Sequence, residues 1–220
     1  MDVPVPYIYS EAEIRNILAK ADSLPTDRWR LRPHTYRTLF GLLYTTGLRI
    51  SEALALNIGD VLLTDRRLYI REGKFRKDRW VPISPSTSVA LGEYLRRRLF
   101  VDEGTQDRPL FVSRWRNRLS RSIAERTFQR IREQCGIGLG RKTAPRVHDL
   151  RHTFAVRRLL LWYRDGEDVN SRLPALSTYM GHVMVCSTHL YLQATPELFE
   201  EAEARFRRYY HQHIENGGEQ

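Results

Sequence analysis

The sequence predicts a mostly α-helical protein with one small antiparallel β-hairpin, an α+β class, on three observations. Polar capping residues stand before apolar residues spaced three and four apart at several places along the chain. Two short runs with β-branched or aromatic residues flank a single polar turn, Gly-Lys-Phe-Arg-Lys-Asp. No repeat of roughly 20–50 residues and no low-complexity tract interrupts this pattern.

The elements follow in order. Pro4 and Pro6 make residues 1–9 an extended, linker-like lead-in. Ser10-Glu-Ala-Glu13 is a capping box, and Ile14, Ile17, Leu18 and Ala21 behind it share a helix face. A polar connection from Pro25 to Arg32 precedes a second helix carrying Tyr36, Leu39, Phe40 and Leu43. That helix stops at Gly47, the residue suited to a left-handed C-cap. A short helical turn is expected from Ser51. Arg67–Arg71 and Arg79–Ile83 read as the hairpin strands. Ser84-Pro85 opens a helix to about Phe100, since proline suits the first helical position. Ser122-Ile-Ala-Glu125 reads as a second capping box, for a helix toward Cys135. Further helices are expected over about 148–163, 172–180, 184–192 and 197–210.

With 220 residues and 41% hydrophobic content, the chain is long enough to bury a substantial core. Its longest apolar run, Leu159 to Tyr163, is far short of the roughly 20 residues that span a bilayer. No secretory signal is visible at the start, and Cys135 and Cys186 are read as reduced thiols, so a cytoplasmic protein is expected. Charge is more telling. Thirty-six Lys and Arg against 26 Asp and Glu leave +10, which points to a polyanionic partner. The excess clusters: Arg114, Arg116, Arg118, Arg121, Arg126, Arg130 and Arg132 are opposed only by Glu125. The first six are candidates for DNA contact, because arginine forks match phosphate oxygens. A solvated basic face is the plainer reading of the same block.

Several constellations could carry chemistry. His148-Asp-Leu-Arg151-His152 places two histidines and an arginine on one helical face. The histidine spacing invites comparison with zinc motifs, but the required Glu is replaced by Asp149 and Arg151 would set a fixed positive charge beside the ion. Gly73-Lys74 fails the phosphate-loop template, which needs a Gly where Leu68 stands and Ser or Thr where Phe75 stands. No metal or nucleotide cofactor is therefore expected. Taken singly, Arg49, Lys74 and Tyr191 would be read as surface or packing residues.

Their order is more specific. Thr45-Thr-Gly-Leu-Arg-Ile-Ser-Glu-Ala-Leu-Ala-Leu56, Gly73-Lys74 with Val81-Pro82, His148-Asp-Leu-Arg151-His, Met180-Gly-His182 and Thr188-x-x-Tyr191 together resemble the tyrosine recombinase (phage integrase) family over about residues 36–193. The resemblance implies that family's catalytic-domain fold and an active site of Arg49, Lys74, His148, Arg151, His182 and Tyr191. The family hairpin often has Gly after its lysine, whereas Phe75 follows here, which leaves Lys77 as an alternative to Lys74. It also implies a protein that cuts and rejoins double-stranded DNA in site-specific recombination and self-associates on DNA as a dimer to tetramer. A DNA-relaxing topoisomerase and a non-catalytic DNA-binding regulator are the rival readings. The expected organisation is a catalytic domain over 10–195, then a C-terminal helix and tail over 196–220 that docks on a neighbouring protomer. The family's N-terminal DNA-clasping domain is expected to be absent.

Chemistry agrees with these roles. Attack of a tyrosine on a phosphodiester builds negative charge on the non-bridging oxygens, which two arginine forks can bind. A neutral histidine can accept the tyrosine proton, and a lysine can protonate the leaving 5′-oxygen. His182 would donate a hydrogen bond to the phosphate.

Overall fold

The computed structural model describes residues 6–71, 78–101 and 105–181, and these form seven helices and a three-stranded antiparallel sheet. In order they are α1 (Glu11–Asp22), α2 (Arg32–Thr46), α3 (Ile50–Ala55), β1 (Val61–Leu62), β2 (Arg67–Ile70), β3 (Arg79–Pro82), α4 (Pro85–Val101), α5 (Arg121–Gln134), α6 (Asp149–Arg164) and α7 (Val169–Met180). The expected mostly helical class is what the chain adopts.

Helix α2 is the axle. Tyr36, Leu39, Phe40, Leu42 and Leu43 are all buried, because the helix packs against α1, α4 and α6 on different sides. Its end at Gly47 is as expected, with φ at 63° and the Gly47 N–H bonded to the Leu43 carbonyl. The capping box of Ser10 and Glu13 also forms. Ahead of it, Tyr9 is buried and takes Thr153 Oγ1 as acceptor for its N–H at 3.0 Å. The end of the lead-in read as a linker thus packs into the body, because its aromatic rings belong to the core.

The sheet has order β1-β2-β3, with Leu68 opposite Val81 and Tyr69 opposite Trp80. The hairpin was expected; β1 was not, since two residues carry no readable alternation. Two further details differ. Helix α5 is capped by Ser120, whose Oγ accepts from the Ile123 N–H, so Ser122 sits inside the first turn and Glu125 pairs with Arg121 instead of closing a box. Helix α7 starts earlier than expected because Asp168 caps it through the Asn170 N–H. The expected helices over 184–192 and 197–210 lie outside the described residues. A second apolar cluster, from Phe154 and Leu159 of α6 to Leu173, Leu176 and Met180 of α7, fastens α7 to the body. Among the described residues no helix is long and apolar enough to cross a membrane.

Candidate active site

The site grows from the turn after α2. Gly47 must be glycine: its φ is positive, and a Cβ there would lie 2.4 Å from Phe154 Cδ1. The turn delivers Arg49 to the N-cap position of α3 in extended conformation. One turn on, Glu52 reaches back and accepts from the Arg49 main-chain N–H at 2.9 Å and from Arg49 Nη1 at 2.9 Å. Arg79 of β3 meets the same carboxylate with both terminal nitrogens, each at 3.0 Å. Glu52 is nearly buried, at 6% side-chain exposure. Burial pushes its carboxyl up, but the hydrogen bonds from Arg79 and Arg49 and the two positive charges outweigh it, and the net shift is downward.

Arg151, in the first turn of α6, is 2% exposed. Its Nη1 donates to the Gly47 carbonyl and its Nη2 to the Met180 carbonyl, both at 2.6 Å, so it joins the C-terminal ends of α2 and α7. Arg49 Nη2 donates to the Gly181 carbonyl at 3.0 Å. Two of the expected site arginines, far apart in the chain, thereby converge on one helix end. Such an end carries partial negative charge, which favours cations there.

His148 stands just before α6 and His152 one turn later, with ring centroids 4.9 Å apart edge to face. Removal from water and the charges of Arg151, Arg146, Arg49 and Arg121 hold His148 down at about 4. Burial, His148 and the arginines do the same for His152, also at about 4. Both rings are therefore neutral at pH 7, the form that can accept a proton. Asp149 turns its carboxylate back onto the Arg146 N–H at 2.7 Å. Among the described residues no group of three or more His, Cys, Asp and Glu is arranged to hold a metal ion.

The structure brings together Arg49, His148 and Arg151. Lys74, its alternative Lys77, His182 and Tyr191 lie outside the described residues. Glu52 and Arg79 were not singled out from the sequence. A signal for Arg79 existed: on β3 it is in phase with buried Val81, not with exposed Trp80, so it faces inward.

The arginine block divides. Arg114 stacks over Trp115 at 4.2 Å, beside Arg116, whose φ of 63° forms a tight turn closed by the Ser113 N–H on the Asn117 carbonyl. Arg118 turns its fork onto its own protein: Nη1 donates to the Leu54 and Leu56 carbonyls at 2.6 and 3.1 Å, and Nη2 to Asn57 Oδ1 at 2.7 Å. Those nitrogens brace the end of α3, and the residue itself is exposed. Arg132 is buried and donates to the Ile137 carbonyl. Arg121 pairs with Glu125 at 2.8 Å, while Arg126 and Arg130 stand exposed on α5. Ile131 is buried beneath them, whereas Ile123 is exposed.

Arg49, Arg151 and a neutral His148 form a cluster suited to an anion, and comparison with known proteins gives the family. Residues 9–197 match the Phage integrase family, and the chain belongs to that family. It is 42% identical over 207 residues to "Putative integrase/recombinase y4rB" of Sinorhizobium fredii, covering 92% of this chain and 66% of that one. It is 30% identical over 201 residues to tyrosine recombinase XerA of Pyrococcus furiosus, covering 91% and 62%. Among solved structures, XerH site-specific recombinase bound to palindromic difH substrate, in a post-cleavage complex, superposes with a TM-score of 0.66 at 25% identity, covering 93% of this chain and 54% of that one. The chain thus spans just under two thirds of the length of these curated relatives.

Proposed function

We propose that this chain carries the chemistry of site-specific DNA recombination: strand cleavage and rejoining through a 3′-phosphotyrosyl intermediate. The observation that carries the reading is the convergence of Arg49 and Arg151 on the end of α7, with neutral His148 beside them. That arrangement suits a phosphodiester. In the proposed reaction the Tyr191 oxygen attacks phosphorus, His148 takes the phenolic proton, and the P–O5′ bond breaks. Lys74, or Lys77, supplies the proton to the departing 5′-oxygen, while Arg49, Arg151 and His182 hold the non-bridging oxygens. Attack by the freed 5′-hydroxyl on the phosphotyrosine reverses the steps, so the bond energy is retained.

Double-stranded DNA is the proposed partner, supported by the +10 charge and by the DNA-bound XerH relative. Arg114, Arg116, Arg118, Arg121, Arg126 and Arg130 are the proposed phosphate contacts. Self-association on DNA, with segment 196–220 docking on a neighbouring protomer, completes the reading. Its test uses a pool of nicked duplexes of randomised core sequence. Wild-type protein forms an SDS-resistant DNA adduct, and Tyr191→Phe binds the pool but forms none. An adduct that persists in Tyr191→Phe overturns the assignment.

A further inference from the structure

Three successive carbonyls close α7, and each accepts from a different guanidinium. Arg79 Nε takes Tyr179 at 3.0 Å, Arg151 Nη2 takes Met180 at 2.6 Å, and Arg49 Nη2 takes Gly181 at 3.0 Å. Two of these arginines belong to the proposed phosphate clamp. The third, Arg79, does not, yet it also holds both oxygens of the Glu52 carboxylate that binds Arg49. We infer that Arg79 is a positioning residue of the strand-cleavage site, fixing the Arg49 fork through Glu52 and the end of α7 through Tyr179. The inference rests on the recombination reading above.

Geometry supplies the first argument. Arg79 uses three nitrogens at once: Nη1 and Nη2 on the two Glu52 oxygens, and Nε on the Tyr179 carbonyl. Only a planar fork can span those acceptors; a lysine has a single tip. The guanidinium also lies against Gly181, where an added Cβ would meet Arg79 Cζ and Nη1 at 3.2 Å. Gly181 is the left-handed C-cap of α7 and the residue from which the chain runs on to His182 and Tyr191. Arg79 therefore ties three segments together: the hairpin that contains Lys74, the α3 start that carries Arg49, and the α7 end.

Charge supplies the second argument. Arg49 and Glu52 alone would form a neutral pair, with the carboxylate drawing the fork away from a phosphate. Arg79 occupies both carboxylate oxygens and leaves the trio at net +1, so the Arg49 charge remains available to an anion. Arg79 itself, at 15% side-chain exposure, spends Nε, Nη1 and Nη2 on the Tyr179 carbonyl and the Glu52 carboxylate.

The test separates positioning from folding and binding. Arg79→Lys and Arg79→Ala are compared with wild type for affinity to the nicked-duplex pool and for the single-turnover rate of adduct formation. Arg79→Lys keeps the charge; it is expected to fold and to bind DNA nearly as wild type but to cleave roughly 100-fold more slowly, the size of loss that follows misplacement of reacting groups by about 1 Å. Methylguanidinium added to Arg79→Ala is expected to restore part of the rate by filling the vacated fork, while a lysine-like amine is not. If Arg79→Ala does not fold, Arg79→Lys decides. Wild-type cleavage by Arg79→Lys, or a rate loss matched by an equal loss of affinity, overturns the positioning role alone. Failure of the wild type to form any adduct overturns the recombination reading and this inference with it.

Discussion

Replacing Gly47 by alanine perturbs the turn on which the arginine site is built, and the structure sets the size of the effect. The residue sits at φ 63°, where alanine costs roughly 1–2 kcal/mol relative to its preferred conformations. The new Cβ would also stand 2.4, 2.9 and 3.1 Å from three ring atoms of Phe154. That ring has little room to retreat, being 8% exposed and stacked on Tyr179 at 5.6 Å between centroids. Overpacking of this kind costs about 1–3 kcal/mol. A stiffer unfolded chain offsets about 0.4–1 kcal/mol. Gly166 is the control, since it has φ 73° but nothing within 4 Å of an added Cβ. Urea unfolding at constant m should therefore show Gly47→Ala more destabilising than Gly166→Ala by about 1–3 kcal/mol. Equal losses in the two variants would refute the claim that Phe154 demands glycine at this turn.

Arg118→Ala should destabilise the protein by about 1–2 kcal/mol in the same assay, because the carbonyls of Leu54 and Leu56 lose a charged donor; an unchanged midpoint would show the contacts to be idle. Stability should also fall as pH drops from the ordinary histidine value of 6.5 toward 4. The unfolded chain takes up protons there while folded His148 and His152 stay neutral, and neither contributes above 6.5. A variant with both histidines changed to Gln should lose that part of the slope, measured as urea midpoints at pH 7 and pH 5. Replacing Arg126 and Arg130 together should flatten log K against log salt by about one to two units, at roughly 0.9 per phosphate neutralised; an unchanged slope would mark α5 as a solvated basic face.

Much of the architecture was legible because its signals are local. Ser10 with Glu13 and the stop at Gly47 depend only on neighbours a turn away, and both form as read. The α5 cap was misplaced because Ser120 and Ser122 are equivalent in sequence; extended backbone at Ser120 and the pairing of Glu125 with Arg121 decide between them. Arg49, His148 and Arg151 were singled out through ordered motifs; the two arginines meet at the end of α7, and His148 lies within the influence of both charges. Glu52 and Arg79 were passed over because composition reads charged residues as surface. Their burial is a tertiary fact, made tolerable by mutual neutralisation. Nor could sequence show that Arg118 turns its fork onto the end of α3, since a fork's direction is set by tertiary contacts.

The central claim is covalent, and the most direct measurement identifies the bond. Adduct formed on the nicked-duplex pool is digested with protease and nuclease, the linked peptide is sequenced by mass spectrometry, and the released DNA end is labelled with polynucleotide kinase. The account predicts a nucleotide 3′-phosphate joined to the peptide containing Tyr191, with a free 5′-hydroxyl on the departing strand. A link at another residue, or through a 5′-phosphate, would contradict it.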